Sequence, residues 1–203
     1  MKKHIAHISK IDKILGAHIK RIGPIKRDGE KTLNPFEALV SAIVYQQLNG
    51  RAASVILGRV LALFGESDFP APKDFLKMSD EKLRSAGLSR AKTAAIKDLA
   101  QKTIEGVVPT SIEIAKMKDD EIVERLVSVR GVGRWTVEML LIRMGRHDVF
   151  PTTDYGIRKA FQLVYKKRKL PTPKVLEKHG EIWRPYRTMA SLYLWRILDT
   201  YDK

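Results

Sequence analysis

Apolar residues along this chain of 203 recur at three- and four-residue spacing, and no alternating run flanked by hairpin turns interrupts that pattern. A period of about 3.6 residues buries one face of a helix, whereas a half-buried strand needs a period of two. The fold class this dictates is all-α. Start and stop signals then place individual helices. Asn34-Pro35 joins a capping amide to a proline at the first helical position, opening a helix from Phe36 to about Leu48. Asn49-Gly50 breaks the chain before a second helix over 51–64. Ser79-Asp80-Glu81 starts a short helix ending near Gly87, and Ser89 opens the next, which carries Ala94, Ala95 and Leu99. Asp119-Asp120-Glu121 sets acids at the positive end of a helix over 122–129. Thr172-Pro173 caps another, and Pro185 starts the last, with Leu192, Leu194 and Trp195. Residues 106–110 and 169–173 read as linkers. The length suits one domain or two small ones, and no repeat or low-complexity tract is present.

Charge narrows the partner. Lysine and arginine number 38 against 23 acids, a net charge of +15 that predicts a polyanion, of which nucleic acid is the commonest. The run Lys166-Lys167-Arg168-Lys169 is short and reads as a solvated helix end rather than a dedicated tether. With no cysteine, disulfides, thiolate metal sites, cysteine nucleophiles and iron–sulfur clusters are excluded. The five histidines are scattered and form no H-x-E or H-E-x-x-H pair, so no zinc site is expected. No stretch approaches the ~20 apolar residues of a membrane span. Met1-Lys2-Lys3 is basic, but His4, His7, Ser9 and Asp12 break any export signal. The expected location is the cytoplasm or nucleoid, or the nucleus in a eukaryote.

The most informative segment runs from Leu126 to Val137, where Gly131 and Gly133 flank Val132 between two helical patterns. So tight a turn needs residues free of the Cβ restriction, and it leaves the next helix with outward-facing unpaired N–H groups. Those groups and the helix dipole make a seat for a phosphate, with Val132 filling the space between the helices. Taken alone, the pattern also fits a plain helix-turn-helix corner. One helix later come Asp148-Val149-Phe150 and Pro151-Thr152-Thr153-Asp154-Tyr155-Gly156-Ile157-Arg158.

The hairpin with its downstream aspartate resembles the helix-hairpin-helix, Gly/Pro-rich-loop, aspartate (HhH-GPD) superfamily of DNA glycosylases. Within it, the chain is similar to the 3-methyladenine DNA glycosylase II, or AlkA-like, branch. The branch signature G-[IV]-G-x-W-T, D-V-F and P-x-x-D-x-[GL]-[IL] stands here as residues 131–136, 148–150 and 151–157. Further matches are residues 35–39 with Gln46-Gln47, the helix over 89–100, and Trp183-Arg184-Pro185-Tyr186-Arg187. The resemblance covers about residues 34–198. It implies two helical lobes with the active site in the cleft between them: residues 35–150 as the central lobe, and 1–34 plus 151–203 as the other. The chain is too short for the N-terminal sheet domain of longer relatives.

The resemblance implies that Asp154 is the catalytic carboxylate, stabilising the oxocarbenium-like sugar formed as the C1′–N bond breaks. As an N-cap of the following helix, Asp154 has a structural role as well. Strand-nicking members of the superfamily carry a lysine nucleophile where Trp135 stands, which implies a monofunctional enzyme that leaves an abasic site. The implied base pocket holds Trp135, Trp195, Met139, Tyr155 and Gln46. Alkylation at N3 or N7 makes a purine cationic, and a stacked electron-rich ring attracts it by roughly 0.5–2 kcal/mol. Either tryptophan could instead be a core residue. Met139 and Gly156 are smaller than the residues of the better-known pocket, which leaves more room. Gly131, Val132, Gly133, Arg134, Thr136, Ser89, Arg90 and Arg158 are the implied DNA contacts. Leu88, Ser89 or Arg90 would fill the gap left by a flipped base. Gln46 and Gln47 either contact DNA near the lesion or brace helices internally. No cofactor is expected beyond a sodium or potassium ion on hairpin carbonyls. The expected partner is duplex DNA containing damaged bases, with no membrane and the protein a monomer. Two other readings stand beside this one: a relative acting on other damaged or mismatched bases, and a non-catalytic DNA-binding module, which would have no use for Asp154.

Overall fold

The computed structural model describes residues 2–25, 33–65 and 68–201. Among them are thirteen α-helices, one 3-10 turn and no strand, so the fold is all-α. The chain divides into two compact units, residues 31–140 and residues 1–30 with 141–203.

The first unit contains α3 (Pro35–Tyr45), α4 (Gly50–Ala62), α5 (Pro72–Lys77), α6 (Asp80–Ser85), α7 (Arg90–Ile104), α8 (Ser111–Lys116), α9 (Asp119–Leu126) and the start of α10 (Arg134–Arg143). Side-chain caps fix the helix starts, as their sequences predict. Asn34 accepts from the Phe36 N–H, Asn49 from Ala52, Ser79 from Lys82 and Ser89 from Lys92. Several predicted ends shift. α3 stops at Tyr45 rather than Leu48 because Gln46 leaves the helical region at ψ 132° and Gln47 then takes a left-handed φ of 57°. Asn49, expected only to break the chain, is the N-cap of α4. The acids 119–121 lie inside the first turn of α9 rather than ahead of it. Helices α5 and α8 gave no sequence prediction: at six residues each, they are too short for periodicity to show. Phe36, Phe64, Phe69 and Phe75 pack ring against ring within this unit, between α3 and α5.

The second unit joins the two ends of the chain. α1 (Lys2–Ile11) and α2 (Lys13–Ile22) pack with α11 (Tyr155–Val164), α12 (Pro173–Gly180), the 3-10 turn Glu181–Trp183 and α13 (Arg187–Tyr201). The last helix starts at Arg187, two residues after the expected Pro185. Residues 148–150, expected with the central lobe, pack here. Phe150 lies in this unit's core, Arg187 holds the Asp148 carboxylate at 2.8 Å, and the Val149 N–H donates to Thr188 Oγ1. The N-terminal boundary between the lobes lies outside the described residues.

Asp12 organises this unit. Its Oδ1 caps α2 by accepting from the Leu15 N–H at 2.9 Å. Its Oδ2 accepts from the Tyr165 hydroxyl and from Trp183 Nε1 at 2.9 Å, with His179 Nε2 at 3.2 Å. Burial alone would push the Asp12 pKa up. The bonds from His179, Tyr165, Leu15 and Trp183 overcome it and hold the carboxyl well below the usual carboxylate range. Tyr165 is pushed up, by burial first and then by Asp12. Because the folded pKa lies below the unfolded one, this stabilisation is complete above about pH 4 and fades as pH falls further. Asp12→Asn is expected to lose roughly 2–4 kcal/mol at pH 7. Urea unfolding at pH 7 and pH 3 should show the difference from wild type shrinking at the lower pH; a constant difference would sink this account.

Candidate active site

In the unit spanning 31–140, α9 and α10 are joined by the glycine hairpin. The turn closes through the Val132 N–H to the Val129 carbonyl at 3.0 Å, and both valine side chains are buried between the helices. Gly131 has φ 76°, a conformation side chains avoid, and a Cβ there would lie 3.1 Å from Ala95 Cβ. Gly133 is different: its φ is not left-handed and a Cβ would meet nothing within 4 Å. What the missing side chain leaves clear is the exposed start of α10, where the first-turn N–H groups lack intrahelical acceptors.

One stripe of α7 braces this hairpin. Lys92 Nζ donates to the carbonyls of Val44 and Gln46 at 2.7 and 2.8 Å, tying down the end of α3, and burial lowers its pKa. Ala95 sits against Gly131, Asp98 accepts from the Arg130 N–H at 2.7 Å, and Lys102 donates to the Ser128 carbonyl. These residues recur at three- and four-residue spacing, hence on one helical face. The sequence reading matched this helix to the family without giving these residues a role; the signal available was the polar side chains at helical period on an otherwise core-facing helix. Gln46 completes the brace, its Nε2 donating to the Gly131 carbonyl at 2.8 Å. Of the two alternatives for Gln46 and Gln47, Gln46 therefore supports the hairpin from within, whereas Gln47 is exposed on a strained backbone beside it. Strained positions of this kind cluster where ligands are contacted. The Ser128 carbonyl accepts from the Lys102 ammonium and the Gly131 carbonyl from Gln46 Nε2, so these two hairpin carbonyls are already engaged.

The other expected contacts in this unit sort by exposure. Arg134 is exposed, with Glu138 Oε1 at 3.6 Å. The Thr136 side chain is buried, so its contribution to a phosphate seat is limited to backbone. Leu88 is buried and Ser89 caps α7, while Arg90 stands exposed. Trp135 is 42% exposed, which removes the core alternative for it, and Met139 is half-buried.

In the other unit, Asp154 caps α11, its Oδ1 accepting from the Ile157 N–H at 2.8 Å. The same oxygen accepts from Trp195 Nε1 at 3.0 Å. Tyr155 is 67% exposed. Arg158 is half-buried, and its Nε donates to the Pro171 carbonyl at 2.8 Å, so part of this guanidinium fixes the loop before α12 rather than reaching outward. Among the described residues no cluster of three or more metal-ligating side chains occurs, and no helix is long and apolar enough to cross a membrane.

A glycine hairpin with an exposed helix start thus precedes, one helix upstream, a capped aspartate. The sequence matches the model of the HhH-GPD superfamily base excision DNA repair protein over residues 40–185. The chain belongs to that superfamily. It is 37% identical over 199 residues to DNA-3-methyladenine glycosylase 1 of Schizosaccharomyces pombe, covering 97% of this chain and 87% of the relative. The solved structure of the S. pombe 3-methyladenine DNA glycosylase Mag1 with abasic DNA superposes with a TM-score of 0.87 at 36% identity, covering 96% of this chain and 95% of that one. A DNA-3-methyladenine glycosidase structure from Bacillus halodurans gives 0.88 at 34% identity, covering 98% and 90%. Gly131→Ala should cost about 1–2 kcal/mol through its left-handed φ. It should weaken damaged and undamaged duplexes alike. Thermal unfolding and fluorescence anisotropy check this, and undiminished affinity for both duplexes would count against the hairpin as the phosphate seat.

Proposed function

We propose that this chain is a monofunctional DNA-3-methyladenine glycosylase, which flips alkylated purines from duplex DNA and hydrolyses the N-glycosidic bond to leave an abasic site. The observation that carries the reading is the anchored carboxylate of Asp154, capping α11 and held by Trp195 in a chain whose hairpin can seat a phosphate. Two donors on one oxygen fix the orientation of the carboxylate. In the reaction the C1′–N bond breaks, its electron pair leaves with the base, and positive charge develops on the sugar. The fixed anion stabilises that charge and orients the water that adds to C1′, whose proton is then lost.

Trp135 supports the monofunctional assignment, because an indole cannot form the Schiff base that strand cleavage requires. Its half-exposed ring suits a stacking surface for a cationic base. Met139, one turn further along α10, is proposed to contact the base beside it. The hairpin residues 131–134, the backbone of Thr136, and the exposed Gln47 and Arg90 are the proposed DNA contacts. An alkylated purine is already a good leaving group, so the site need supply little acid.

Asp154→Asn keeps the size and the helix cap but removes the charge. Single-turnover excision of a methylated purine should fall by roughly 10²–10³-fold, with lesion-duplex affinity retained and stability changed by no more than about 1 kcal/mol. Near-wild-type excision with a lowered melting temperature would make Asp154 only a cap and leave a DNA-binding module. In a separate assay, wild-type product should be alkali-labile and uncleaved, and borohydride should trap no enzyme on substrate DNA. A covalent adduct would overturn the monofunctional assignment.

A further inference from the structure

Gly156 has an open role. Its missing side chain was expected to make the base pocket roomier, but the structure surrounds it with the catalytic carboxylate and an indole. A Cβ built on Gly156 would lie 3.1 Å from Asp154 Oδ1, 3.3 Å from Trp195 Cδ1 and 3.4 Å from Trp195 Nε1. The first two distances are tighter than nearly all real Cβ contacts, so a side chain at Gly156 would require Asp154 or Trp195 to move by a few tenths of an ångström. The φ of Gly156 is not left-handed, so nothing in the backbone demands glycine there. What demands it is the approach of Trp195 from α13 to the first turn of α11, which ends in the 3.0 Å bond from Trp195 Nε1 to Asp154 Oδ1.

We propose that Trp195 is a positioning residue for Asp154, and that Gly156 is the specific clearance that lets it be one. The inference rests on the catalytic reading of Asp154. A helix cap alone fixes a carboxylate at one point, by the bond from the Ile157 N–H. A second donor on the same oxygen, from an element 41 residues away in sequence, fixes the rotation of the carboxylate about its own axis. Trp195 is held in turn, because it packs on the core that contains Ile157, Phe161, Leu194 and Ile197. The carboxylate is therefore oriented before substrate arrives, which is the condition under which an electrostatic group acts without reorganising. Tryptophan suits this use because its indole N–H only donates, and so cannot compete for the charge it orients.

The test is a two-residue cycle read by single-turnover excision at saturating enzyme, with lesion-duplex affinity and melting temperature measured on each variant. Trp195→Phe keeps a ring in the packing and removes the donor. Gly156→Ala fills the clearance in a helix where alanine is intrinsically favoured, so its result does not depend on how well Trp195→Phe folds. A donor to an ionised group is worth on the order of tenfold or more. Each variant should therefore excise roughly tenfold more slowly with affinity within about twofold of wild type. Because both act through one contact, the double variant should be no slower than the slower single.

Wild-type excision by Trp195→Phe would overturn the inference. So would lost lesion affinity with an unchanged rate, which would make Trp195 a pocket wall. Rate losses that multiply in the double variant would equally refute it, since Gly156 would then act elsewhere. Asp154→Asn, run in parallel, separates the two ideas. If it is inactive while Trp195→Phe is unaffected, only the positioning role fails; if it is fully active, the catalytic reading fails.

Discussion

One buried carboxylate carries much of the terminal unit. Asp12 sits between the first two helices, yet its partners Tyr165, His179 and Trp183 lie more than 150 residues on. A carboxylate with one partner in such a place would be a liability, because desolvation would outweigh a single hydrogen bond. With four donors converging on it, the charge is satisfied and makes the arrangement unique: any other packing of α1 and α2 would strand a buried anion. That uniqueness reaches Asp154 through shared neighbours. Trp183 packs edge-on against Phe150 and Phe161. Phe161 is on α11, whose N-terminus is capped by Asp154. The core that Asp12 closes is thus the core on which the helix capped by Asp154 rests.

The other unit uses the same logic with exposed charges. The exposed start of α10 carries first-turn N–H groups with no intrahelical acceptor, so the hairpin is not stabilised on that face by its own side chains. Support comes from behind instead, where Lys92, Asp98 and Lys102 grip backbone atoms of the hairpin and of the neighbouring turn. Ala95 allows the close approach that Gly131 requires. These bonds run from side chain to backbone, which fixes loop geometry while leaving the loop's own residue identities open for binding.

Net charge is divided unevenly between the units. Residues 1–30 with 141–203 hold 22 lysines and arginines against 9 acids, whereas 31–140 holds 16 against 14. The hairpin thus lies on a nearly neutral unit, where what it offers is oriented backbone dipoles. The positive charge lies mostly on the unit that carries Asp154. Short-range seating and long-range steering obey different physics, the first fixed by geometry and the second screened by salt.

Much of this was legible in the sequence. Helical periodicity, the absence of strand alternation and capping residues at 34, 79, 89 and 154 established an all-helical chain and most of its helix starts. Caps are local chemistry, and they hold wherever the chain folds. Gly131-Val132-Gly133 and Pro151–Ile157 identified the hairpin and the aspartate, because backbone freedom and a capping carboxylate are properties of residue type and spacing. Helix ends shifted where a later residue took an unusual conformation, as Gln47 did. The short helices α5 and α8 stayed hidden because they hold too few residues for a period. What only the tertiary structure decided is which distant groups meet. Asp12 with Tyr165, His179 and Trp183, the α7 stripe under the hairpin, and Trp195 over Gly156 on Asp154 are all contacts between segments far apart in the chain. Composition and spacing record which groups can donate and accept. Only the packed fold determines which donor is brought to which acceptor, because that pairing follows from burying the whole set of apolar faces at once.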